Sequence, residues 1–176
     1  MKRHVALVGF MASGKSTVGR RVARRLGCAF ADTDELVVRA HGAIAGIFAG
    51  EGEEAFRRYE REVIAEVLAA EEARVVALGG GAFVLEENRT RLKSGAHVVF
   101  VKASPEQVSE RLRKSRTVRP LLGAAPSLEA IEALYRQRLP YYAAADLVVD
   151  ARSRTGEQVV DEIVKWIRKK KIAIGR

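Results

Sequence analysis

One cysteine, four prolines, one tryptophan and an aromatic share of 6% leave this 176-residue sequence short of several common devices. The single thiol, Cys28, cannot build a disulfide framework within one chain, and no Cys/His spacing suits zinc. No stretch longer than eleven residues lacks Asp, Glu, Lys or Arg, against the roughly 20 apolar residues that a membrane-spanning helix needs. Met1-Lys2-Arg3 and the apolar run behind it imitate a secretory leader, but the run enters a Gly/Ser motif and offers no small-residue cleavage site. A cytoplasmic location and no membrane partner are therefore expected. Sparse aromatics and the lack of a recognisable nucleic-acid module argue against a nucleic-acid partner. Without repeats, low-complexity tracts or linkers, residues 1–176 read as a single domain with its own core.

Acidic charge is the other shortage. The chain has 22 acidic against 31 basic residues, a net charge of +9. Five basic residues and no acid fall between Arg111 and Arg119, and six between Lys165 and Arg176, so the remainder is slightly acidic. A phosphorylated small ligand suits the first cluster. The second sits at a predicted helix end, where cations oppose the helix dipole.

Hydropathy gives the architecture. Apolar strand candidates at His4–Val8, Phe30–Thr33, Arg74–Leu78, Ala96–Val101 and Leu147–Val149 alternate with helical patterns. Contiguous apolar runs such as Val98-Val99-Phe100-Val101 suit strands buried on both faces. The predicted fold is therefore α/β: a five-stranded parallel sheet with helices on both faces, in three layers. Two segments interrupt the alternation: a helical insertion near Ala43–Ala70, broken around Gly50–Gly52, and a basic loop at Lys114–Pro126. In such sheets ligands bind beyond the carboxyl ends of the strands, where insertions serve as covers.

Gly9-Phe10-Met11-Ala12-Ser13-Gly14-Lys15-Ser16 is the phosphate-loop pattern G-x-x-x-x-G-K-[ST], placed between a strand and a helix as its mechanism requires. The glycines let backbone N–H groups converge on phosphate oxygens at a positive helix end. Lys15 adds a full charge, and Ser16 offers a hydroxyl to Mg²⁺. Asp32, at the end of the second strand, is the candidate second metal carboxylate, with helix capping as its ordinary alternative.

Asp32-Thr33-Asp34 places two carboxylates on one face if the segment is extended. Asp34 would then meet an acceptor hydroxyl, its competing role being to cap the next helix. Arg57 and Arg58 point about 100° apart on a helix, so only one can enter a given pocket, and periodicity does not choose. Gly79-Gly80-Gly81 ends a strand at the ligand edge, where absent side chains would let a substrate lie on backbone. Arg138, in Arg138-Leu139-Pro140-Tyr141-Tyr142, could fork onto a carboxylate. His4, His41, His97 and Trp166 read as structural.

These landmarks, in this order and with Arg119-Pro120-Leu121-Leu122 between the last two, resemble the shikimate kinase family, a P-loop kinase fold. The resemblance runs from the phosphate loop nearly to the C-terminus. It implies transfer of phosphate from ATP to the 3-hydroxyl of shikimate in aromatic amino-acid biosynthesis, with Mg²⁺ as cofactor and a monomer expected. It further implies that Ala12, Ser13, Gly14, Lys15, Ser16 and Thr17 line the nucleotide phosphates. Asp34, Arg57, Gly80 and Arg138 would bind shikimate, with Gly79 and Gly81 beside Gly80, which selects Arg57 over Arg58. Lys15, Asp34 and Arg119 would carry the chemistry, Arg119 from a mobile lid near residues 112–126. Ser16 and Asp32 would hold the metal, and the insertion of about residues 33–70 would hold shikimate. Arg154 would lie near adenine, where Gly156 departs from the family's frequent proline. Arg111, Arg113 and Arg116 compete for a second nucleotide contact. Two other readings share the phosphate loop: a gluconate-kinase-like enzyme, and a nucleic-acid-binding or regulatory NTPase suggested by the charge.

Overall fold

The computed structural model describes residues 2–115, 123 and 126–175. Five strands, β1 (His4–Val8), β2 (Ala29–Asp32), β3 (Arg74–Ala77), β4 (Ala96–Lys102) and β5 (Leu147–Asp150), form one parallel sheet in the order β2-β3-β1-β4-β5. The helices are α1 (Lys15–Leu26), α2 (Thr33–His41), α3 (Ile44–Gly50), α4 (Gly52–Ala69), α5 (Glu86–Gly95), α6 (Pro105–Lys114), α7 (Leu128–Tyr142) and α8 (Gly156–Lys169).

The three layers follow from the two-residue period of the strands. In β1, Val5 and Leu7 pack with Val18 and Val22 of α1 and Val159, Ile163 and Ile167 of α8. Ala6 and Val8 face the other way, onto Ile64 and Val67 of α4, Leu92 of α5 and Ile131 of α7. Every residue of β1 is buried, so after His4 the central strand reads as an unbroken apolar run. Cys28 and Trp166 pack part-buried against the α1/α8 layer, as small-volume filler and docking ring respectively. His4 is fully buried, and burial lowers its pKa. Among the described residues no helix is long and apolar enough to cross a membrane.

One junction departs from expectation, and it matters for the site. The second strand stops at Asp32, and α2 begins at Thr33. The Asp32 carboxylate caps that helix, accepting from the N–H groups of Asp34 at 3.0 Å and Glu35 at 3.3 Å. Capping satisfies two otherwise orphaned donors, so the chain turns earlier than hydropathy suggests. Asp32-Thr33-Asp34 is thus a strand-to-helix corner rather than an extended segment, and the cap is Asp32, not Asp34. The break between α3 and α4 falls where expected, at Gly52, whose φ of 86° lies in the left-handed region. The ends of β1, β2, β3 and β5 deliver Gly9, Asp32, Leu78 and Ala151 to one edge of the sheet.

Candidate active site

Residues 9–14 turn tightly between β1 and α1. Gly9 is required there: its φ is 144°, and a Cβ would lie 2.7 Å from the Val101 carbonyl oxygen. Ala12 and Gly14 also take left-handed angles, φ 56° and 98°. For Ala12 that costs on the order of 1 to 2 kcal/mol, strain of the kind held at functional loops. No side chain caps α1, so its first backbone N–H groups are left for an anion. Lys15 is 7% exposed and reaches back across the loop, its Nζ donating to the Phe10 carbonyl at 2.7 Å and the Gly9 carbonyl at 3.0 Å. Ser16 Oγ donates to Asp32 Oδ2 at 2.5 Å. Asp32 therefore caps α2 with one oxygen and accepts from Ser16 with the other.

The loop floors a cleft of about 490 Å³, also lined by Asp34, Arg111 and Arg154. Of the arginines competing for a second nucleotide contact, Arg111 lines this cleft and donates to the Ala12 carbonyl at 3.0 Å. Arg113 turns back onto Ser109 of its own helix. Arg116 and the expected catalytic Arg119, with most of the expected lid, lie outside the described residues. Arg154 pairs with Glu162 of α8.

A smaller cavity of about 70 Å³ adjoins the cleft, sharing Met11, Asp34 and Gly80 with it. Arg57 and Arg138 both line it, and Ile44, Phe48 and Phe56 supply an apolar cover. Arg58 is exposed and lies over the Tyr59 ring, so helix geometry places Arg57 alone of the pair in the cavity. Arg57 is held by Glu53 at 3.0 Å and Glu60 at 3.0 Å. Arg138 is 6% exposed, and its Nη1 has no hydrogen-bond partner. A buried, unpaired guanidinium nitrogen is expensive unless an anion completes it.

The triple glycine lines this cavity and has a second, steric rationale. Its φ angles are ordinary, but a Cβ on Gly79 would lie 2.6 Å from Asp34 Oδ1, on Gly80 2.9 Å from the Met11 nitrogen, and on Gly81 2.9 Å from the Arg57 guanidinium. The glycines make room for the protein's own polar groups and phosphate loop. Thr33 fixes the start of this stretch, its hydroxyl accepting from the Gly79 N–H at 3.0 Å.

Sequence reasoning passed over Glu60. It is 1% exposed, one oxygen pairs with Arg57, and the other has no partner. Burial pushes its pKa up to about 7, opposed by Arg57 and reinforced by the Asp34 charge. The signal was present: Glu60 stands three residues after Arg57, the spacing that brings helix side chains together.

A family profile described as shikimate kinase matches residues 11–168. The chain belongs to the shikimate kinase family. A shikimate kinase from Geobacter sulfurreducens is 44% identical over 167 residues, covering 94% of this chain and 91% of the relative. One from Moorella thermoacetica is 44% identical over 170 residues, covering 96% of each. The structure of shikimate kinase from Acinetobacter baumannii in complex with shikimate superposes with a TM-score of 0.89 at 32% identity, covering 98% of this chain and 96% of that one. The five-stranded parallel sheet with flanking helices is the fold of this kinase family.

Proposed function

We propose that this shikimate kinase family member transfers the γ-phosphoryl group of ATP to the 3-hydroxyl of shikimate, giving ADP and shikimate 3-phosphate. One observation carries the reading. Two guanidinium groups, one with a buried unpartnered nitrogen, face a small cavity that meets the phosphate-loop cleft at Asp34. A compact carboxylate bearing hydroxyl groups complements that arrangement. Arg57 and Arg138 would hold the carboxylate, while Gly79, Gly80 and Gly81 form the wall beside it. The opposite end of the ring would then lie at Asp34.

In the reaction the acceptor oxygen attacks the γ-phosphorus, the bond to the bridging oxygen of ADP breaks, and the hydroxyl proton passes to Asp34. Transition states of this kind demand positioning and charge neutralisation more than covalent chemistry. Lys15 would exchange the Gly9 and Phe10 carbonyls for phosphate oxygens, joined by backbone N–H groups from Ala12 to Thr17. Arg111 and Arg154 would hold the rest of the nucleotide, and Arg119 is assigned to the phosphates by family resemblance alone.

The hydroxyl of Ser16 and carboxylate of Asp32, converging at 2.5 Å beside the phosphate nest, fit Mg²⁺. That ion takes one or two protein oxygens and fills its octahedron with water and substrate phosphates. Bound there, it would neutralise charge on the phosphate oxygens. We place the enzyme in the cytoplasm as a monomer working as one unit, with residues 33–70 as the acceptor-binding insertion.

A coupled ADP-release assay across shikimate, quinate and gluconate tests the proposal. Release stimulated by shikimate well above the other two is expected, and no stimulation by shikimate overturns it.

A further inference from the structure

Tyr142 closes α7 one helical turn after Arg138, so the two side chains leave the same face of that helix. Its side chain is fully buried, and its ring packs against Phe100 of β4 at a centroid distance of 5.1 Å. Its hydroxyl donates to the carbonyl oxygen of Gly80, bridging α7 to the glycine wall of the acceptor cavity. Burial pushes the phenol up to about 12, against the pull of the neighbouring Arg138 charge. The group therefore keeps its proton and remains a donor across the working pH range.

The wall needs such a donor. Glycine gives the backbone no rotamer or Cβ constraint of its own, and a buried carbonyl must find a partner. The Thr33 hydroxyl holds the Gly79 N–H at 3.0 Å. The peptide after it sits between the phosphate loop, where a Cβ on Gly80 would come within 2.9 Å of the Met11 nitrogen, and Arg57, equally close to a Cβ on Gly81. Rotation of that peptide would disturb the side of the cavity that meets the acceptor.

We propose that the Tyr142 hydroxyl is a positioning group for the acceptor site, fixing the Gly80–Gly81 peptide and linking it to Arg138. It touches neither substrate. Its effect on catalysis runs through the wall and the guanidinium that the acceptor carboxylate meets. The proposal rests on the shikimate reading of the cavity and adds to it a residue outside the cavity lining.

The test is Tyr142→Phe, which keeps the ring and its contact with Phe100 and deletes only the hydroxyl. Loss of one buried hydrogen bond predicts a rise of about tenfold in the KM and Kd for shikimate. The KM for ATP and kcat should stay within about twofold. Melting curves and shikimate titrations are recorded for both proteins. A KM for shikimate within twofold of wild type overturns the proposal, as does an equal rise for both substrates. A variant that is unfolded at 25 °C also overturns it, because the hydroxyl would then serve stability alone. Absence of shikimate-dependent ADP release in the wild type would instead refute the functional reading, so the two failures are distinguishable.

Discussion

Arg138→Met separates binding from stability at a single side chain. Methionine matches the length of the arginine stem and removes its charge. If Arg138 grips the acceptor carboxylate through two charge-assisted hydrogen bonds, each worth about 1.5 to 3 kcal/mol, their loss costs roughly 3 to 6 kcal/mol. That corresponds to an increase in the KM for shikimate on the order of 10² to 10⁴-fold. The KM for ATP should remain within about twofold, because Arg138 lines the small cavity and not the nucleotide cleft. Stability should move the other way. The substitution loses a cation–π contact with Phe10, at 5.6 Å from the ring centroid, worth about 0.5 to 1 kcal/mol. It also relieves a buried unsatisfied nitrogen, a penalty of about 1 to 3 kcal/mol. The net gain of about 0 to 2.5 kcal/mol should leave the ligand-free variant melting at the wild-type temperature or up to about 10 °C above it, and shikimate should no longer raise its melting point. Steady-state kinetics with each substrate varied, together with thermal melts with and without shikimate, read both effects. A KM for shikimate within fivefold of wild type, or a melting temperature lowered by more than about 4 °C, would refute the reasoning and make Arg138 a structural residue.

Asp34→Asn should lower kcat by about 10² to 10⁴-fold, the usual contribution of a positioned proton acceptor, with ATP affinity preserved; turnover within fivefold of wild type would remove Asp34 from the reaction. Glu60 supplies a pH signature. With a pKa near 7, its neutral form below pH 7 leaves the Arg57 charge to the acceptor, and its ionised form above pH 7 competes for it. The KM for shikimate should therefore rise between pH 6 and 8.5 in the wild type and stay flat in Glu60→Gln. The same raised pKa stabilises the fold below about pH 4.5, and this contribution is lost as pH rises through 7. Glu60→Gln should flatten that part of the stability profile, and parallel wild-type and variant profiles would contradict the assignment.

Much of this was legible in the chain. Strict two-sided burial of β1 makes Val5–Val8 an unbroken apolar run, and Val18, Val22 and Leu26 mark the buried face of α1 by helical spacing. The phosphate loop is legible because its chemistry uses backbone and two adjacent residues, Lys15 and Ser16, all local in sequence. The α2 boundary was not, because capping at Asp32 competes with strand extension over a single residue. Glu60 was missed because a buried carboxylate looks like any other helix-surface acid until its neighbours are known. The steric demand on Gly79-Gly80-Gly81 was hidden for the same reason. What would collide with a Cβ there is Asp34, Glu60, Met11 and Arg57, all distant in the chain.

The layered α/β class, the phosphate loop and the family resemblance, with its choice of Arg57 over Arg58, are written in local periodicity and short motifs. Folding in three dimensions adds that Arg57 lines the acceptor cavity and Arg111 the nucleotide cleft, what the glycines accommodate, and that Glu60 and Tyr142 stand against the acceptor site. Those answers depend on burial and on contacts between α2, α4, α7 and the β3 loop, and such contacts exist only once the parallel sheet has brought its strand ends to one edge.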